Sequence, residues 1–153
     1  MNTEKPELYI PALGGIYSSL DRLAEPMLRV FVGALFMPHG AQKLFGMFGG
    51  GGISGTAQFF DSIGYSPGAF WAVFLGTLEL FGGIALVLGL FTRPVALLFF
   101  IFMAVGVSFH MANGFFWTSG GYEYPLLWAV ASLYFAIRGG GRYSLDARIG
   151  KEF

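Results

Sequence analysis

The chain contains no cysteine. That excludes a disulfide, a thiolate metal site and a dithiol redox centre, so any redox chemistry belongs to a bound cofactor or a partner. Charge is equally scarce: 12% of residues are Asp, Glu, Lys or Arg, against about 25% in an average soluble domain. The nine basic and nine acidic residues cancel, which removes any case for nucleic-acid binding by bulk charge. Only two histidines occur, His39 and His110. The opening residues lack a basic start followed by an apolar core and a small-residue cleavage site, so they do not read as a signal peptide. No Lys-Ser/Thr follows the glycine run at 49–52, so it is not a phosphate loop.

What remains is apolar. Hydrophobic residues make up 55% of the 153 and aromatic residues 18%, at a mean hydropathy of +0.63. A chain this short has too little interior to hide so much apolar surface, and a lipid bilayer is the natural sink. The expected fold is all-α and integral to the membrane. It is a four-transmembrane-helix up-down bundle with spans at about 24–45, 67–90, 94–112 and 123–138. A short amphipathic helix around TAQFFDSIG, with Thr56 near its cap, is expected at the interface of the first outward loop. Residues 1–20 read as a polar, interfacial tail carrying Tyr9 and Tyr17, 21–146 as the membrane domain and 147–153 as a second tail. Asp21 or Ser19 is the expected cap of the first helix, Pro26 suits its first turn, and Arg29 is expected to snorkel to the headgroups. Ser66-Pro67 opens the second helix, and Gly89 to Pro94 forms a tight turn into the third.

Basic residues divide sharply under this topology. Lys5, Arg22, Arg29, Arg93, Arg138, Arg142, Arg148 and Lys151 fall on the side of both termini; only Lys43 falls on the other. The positive-inside rule then puts both termini in the cytoplasm and the glycine-rich and FFWTSGGYEY loops outside.

Polar side chains collect in the outward half. Glu79 is the sole charge in WAVFLGTLELFGGIALVLGL, near its middle. A carboxylate there costs about 2.5–3.5 kcal/mol or more if ionised and lipid-facing, so it must face the bundle interior, find a partner or stay protonated. Its functional role is proton exchange; its structural one is packing, bonded to a hydroxyl such as Thr77 or Ser132 or to an imidazole. His39, Gln42 and Lys43 share one helix face, and Pro38 frees a carbonyl beside them. His39 could serve only that carbonyl, and Lys43 only the headgroups. His110 and Asn113 end the third span and Glu123 begins the fourth, where histidine is cheap and an acidic residue suits a helix start. The candidate site is therefore Glu79 for proton exchange with His39, Gln42, Lys43, His110, Asn113 and Glu123 as ligand-binding groups.

Several motifs occur in order: HGAQKLFG (39–46), Glu-x-x-Gly-Gly (79–83), TRP (92–94), HMANGFF (110–116), GGYEYP (120–125) and GRYSLD (141–146). Together they resemble the DoxX family of small bacterial membrane proteins, over about residues 22–146. The resemblance implies a four-helix protein of the bacterial inner membrane, tied to sulfur-redox and quinone-linked systems. It carries no agreed catalytic residues across.

The function read from the chain is a small inner-membrane subunit of a redox-linked system, not expected to act alone, which meets quinone through the outward polar groups. The competing reading is a non-catalytic assembly or anchor subunit whose loops dock partner proteins. Haem ligation by His39 and His110, and proton-linked transport through Glu79, rank lower. No metal is expected. The partners are the lipid bilayer and either partner subunits or further copies of the chain.

Overall fold

A computed structural model describes residues 7–153. The described residues are all-helical, with no strand. The chain starts with one 3₁₀ turn and enters α1, Gly14–Phe45, a 32-residue helix. Then come α2 (Gly52–Ser62), α3 (Gly68–Leu88), α4 (Thr92–His110), α5 (Glu123–Arg138) and a short α6 (Leu145–Ile149).

Helix α1 begins well before the expected cap. Ser19, Asp21 and Pro26 all lie inside it, and the expected tail already turns helically at Pro11–Leu13. A proline inside a helix removes one backbone donor, yet Pro26 and Pro38 are both carried without a break. The first six residues of the expected tail, Lys5 among them, lie outside the described residues. Helix α2 also starts earlier than Thr56: the last glycine of the run, Gly52, forms its first turn.

Among the described residues two helices are long and apolar enough to cross a membrane: Gly68–Leu88, with mean hydropathy 1.9, and Thr92–Asn113, with mean hydropathy 2.3. Only 33% and 11% of those stretches are buried within the protein, so their apolar faces look outward. A soluble protein would bury them; a lipid-immersed one need not.

The helices form two groups. Helix α1 packs along α3, with α2 laid over both; α4 packs along α5. Glycines set the first pairing. A Cβ added at Gly33 would lie 2.6 Å from the Gly83 carbonyl oxygen, and one at Gly83 would lie 2.7 Å from the Gly33 oxygen. Two turns further on, a Cβ at Gly40 would strike the main chain of Leu80 and lie 2.7 Å from the Gly76 oxygen. Only glycine permits this backbone-to-backbone approach. Between the groups sits a core of Val32, Phe36, Leu75, Leu78, Leu86, Ala96, Phe99 and Phe135. Phe36 and Phe99 stack there with ring centroids 4.0 Å apart.

The end that holds the α3–α4 turn is closed by polar groups. Arg29 is 2% exposed and does not snorkel. Its Nη1 donates to the carbonyls of Leu86 (2.8 Å) and Val87 (2.9 Å), and its Nη2 to that of Tyr143 (2.9 Å). Those carbonyls lie at the end of α3, where the last helical carbonyls run short of backbone donors, and in the C-terminal segment. The Asp146 carboxylate accepts from Phe91 N, Thr92 N and Thr92 Oγ1, all within 2.9 Å, and so caps α4 from a remote part of the chain. Gly89, with φ +68, makes the turn, and any Cβ there would strike Arg29 and Ser144.

Candidate functional site

The glycine approach of α1 and α3 decides where Glu79 ends up. Gly40 and Gly76 bring the two backbones together, and Lys43 and Glu79 each follow one turn later. The Lys43 Nζ lies 2.7 Å from Glu79 Oε2. The Glu79 side chain is 4% exposed and that of Lys43 is 21% exposed. Among the described residues Glu79 makes no hydrogen bond to Thr77, Ser132 or an imidazole, the packing partners open to it in the sequence. Ser132 Oγ is buried without a hydrogen-bond partner among the described residues. Glu79 also lies in the one π-type turn of α3, Leu78–Gly82, among the described residues. Such wide turns shift a side chain out of helical register and recur at functional positions.

Glu79 forms the floor of a cavity of about 200 Å³ between the two helix groups. All four long helices contribute: Leu35, Phe36 and His39 from α1, Met103 from α4, and Tyr124, Pro125 and Trp128 from α5. Phe36 and Trp128 form an aromatic wall, with ring centroids 5.4 Å apart. His39, Leu35 and Tyr124 are exposed, so the cavity reaches the surface at these residues. With Gln42, Gly50, Gly51, Gly55, Thr56 and Phe59, Lys43 lines a second cavity of about 360 Å³ beside the glycine-rich loop. One member of the ion pair thus lines each of the two spaces.

The other polar candidates are elsewhere. Gln42 Nε2 donates to the Phe48 carbonyl and braces the glycine-rich loop. His110 Nδ1 and Asn113 Nδ2 both meet the Gly120 carbonyl, at 2.6 and 3.1 Å. Glu123 begins α5 and accepts from Trp117 N at 3.1 Å. These three brace the loop between α4 and α5, and none lines the cavity that holds His39 and Glu79. No group of three or more metal-ligating side chains occurs among the described residues. Two cavity residues, Tyr124 and Trp128, carried no signal beyond the general aromatic excess; their place shows only once α5 is packed.

A profile of the DoxX family matches residues 26–112, which run from Pro26 within α1 to the end of α4 and include both members of the ion pair. The chain belongs to the DoxX family. An uncharacterized protein of Haemophilus influenzae is 33% identical over 133 residues, covering 82% of this chain and 90% of its own length. The Bacillus subtilis protein named "Putative oxidoreductase CatD" is 33% identical over 125 residues, covering 82% of this chain and 86% of its own length. No solved structure matches.

Proposed function

We propose that this DoxX-family protein is a four-span subunit of a redox-linked membrane system that binds a quinone headgroup in the cavity between its helix groups. In this arrangement α1, α3, α4 and α5 cross the bacterial inner membrane, α2 lies at the outer interface, and both termini are cytoplasmic. The one-sided distribution of Lys and Arg supports that orientation. The oxidoreductase name of the Bacillus subtilis relative supports a redox setting.

The carrying observation is the shape and lining of the cavity. Its rim is exposed at Leu35, His39 and Tyr124, residues that fall within the proposed spans or at their ends, which suits a ligand that arrives from the bilayer. Phe36 and Trp128 offer faces for a flat ring. His39 and the Tyr124 hydroxyl can donate hydrogen bonds to the ring oxygens, and Glu79 at the floor can exchange a proton with one of them. Quinone supplies the electron chemistry when bound; the chain's residues orient the ring and move protons.

The test is the quinone content of the protein purified in mild detergent, read by solvent extraction and by the ultraviolet change on chemical reduction. A quinone-type change that falls at least about tenfold in both His39→Ala and Tyr124→Phe is the expected result. A strong visible band that shifts on reduction would mean haem instead, and would overturn the proposal.

A further inference from the structure

Two cavities meet at one ion pair. Glu79 belongs to the inner one, with His39, Tyr124 and Trp128; Lys43 belongs to the outer one, with Gln42, Thr56 and the glycine-rich loop. We propose that the Lys43–Glu79 pair is a proton link between the outer cavity and the inner one, with Lys43 as the residue that loads Glu79. The inference rests on the proposed ligand only for what finally takes the proton.

The step balances without any other reagent. Lys43 ammonium gives a proton to the Glu79 carboxylate across the 2.7 Å contact. Neutral Lys43 takes a proton from water in the outer cavity, which leaves hydroxide to the medium. Glu79 then passes its proton to an acceptor oxygen in the inner cavity and becomes a carboxylate again, beside a recharged Lys43. The reverse order carries a proton outward. A neutral pair at the end of each cycle leaves no isolated buried charge, which a lone carboxylate there would be. The titratable groups that face Glu79 are Lys43 and His39 from α1 and Tyr124 from α5; α4 contributes Met103, and α2 contributes Thr56 to the outer cavity.

A plain structural pair would also be buried and close. Two features set this one apart. Each partner faces a different cavity, and the wide turn at Leu78–Gly82 shapes the backbone at Glu79 itself.

The test uses Trp128 as a reporter inside the inner cavity, in full-length protein carrying Trp71→Phe and Trp117→Phe. A rapid pH jump in detergent is followed by Trp128 emission. The parent should respond, and Lys43→Ala should respond at least about tenfold more slowly. Ethylamine in the medium, small enough for the space Lys43 leaves, should restore the rate. Thr56→Leu, which narrows the outer cavity and leaves the pair intact, should also slow the response. It keeps the test open if Lys43→Ala does not fold. A Lys43→Ala protein as fast as the parent, a slowed one that ethylamine does not rescue, or a Trp128 signal blind to pH in the parent would each overturn the link. Quenching of Trp128 by an added short-chain benzoquinone is a separate readout on the same protein. Loss of quenching with the proton response intact removes the proposed ligand and keeps the link; the converse removes the link and keeps the ligand.

Discussion

At the scale of single residues, the ion pair and the arginine show how burial changes the meaning of a charge. Lys43 reads in sequence as a ligand-binding group or a headgroup anchor, and Arg29 as a snorkelling residue. Lys43 is instead the counterion of Glu79, and Arg29 is spent on three carbonyls. Removing one member of a buried pair is far more costly than removing both. Lys43→Met should therefore destabilise the protein by about 3 kcal/mol, while Lys43→Met with Glu79→Leu should recover most of that loss. Thermal unfolding in detergent measures both; equal losses in the single and double variants would show that the pair contributes nothing. Glu79 was singled out by its isolation in an apolar run. Its partner could not be, because three polar residues share the α1 face and only the glycine approach selects Lys43.

At the scale of elements, the seam between α1 and α3 governs the site. Gly33 and Gly40 meet Gly83 and Gly76 two turns apart, and the pair and both cavities depend on that separation. Adding side chains here pushes backbone against backbone, beyond what rotamer shifts absorb. Gly33→Leu should cost about 3 kcal/mol or more and, by parting the helices, should also abolish ligand binding at the remote inner cavity. A variant with full stability and binding would mean that the seam is looser than it looks. Much of this level was legible in the sequence: the helical class, the opening of α3 after Ser66-Pro67, the tight turn at Gly89 and the start of α5 at Glu123. The start of α1 was not. Ser19, Asp21 and Pro26 are strong local signals for a helix start, yet α1 runs through all three, with no buried residue before Arg29. The wide turn at Leu78–Gly82 was also hidden, because no residue type encodes it alone.

At the scale of the whole molecule, the C-terminal segment is a clasp. Its residues from Gly141 on are mostly polar, yet Asp146 caps α4, Asp146 N donates to the Gly89 carbonyl, and the Tyr143 carbonyl receives Arg29. Glu152 adds contacts to Arg93 and to Gly140 N. Four parts of the chain thus close one end of the bundle, and none of the long-range pairings could be inferred from spacing. Asp146→Ala strands three donors, two of them on buried Thr92, and should cost about 3 kcal/mol. Thermal unfolding again reads the loss, and the quinone content of folded Asp146→Ala protein should stay at the parental level because the cavity lies among other residues.

The central claim is that a quinone ring sits between the two helix groups, over Glu79 and against Trp128. The most direct measurement is a titration of the Trp128-only protein with a short-chain benzoquinone, followed by emission at constant detergent. Saturable quenching is expected, with affinity weakened at least about tenfold in His39→Ala, which removes a rim donor. Quenching that rises linearly without saturation, and equally in the variant, would be simple partitioning into the detergent and would contradict the claim.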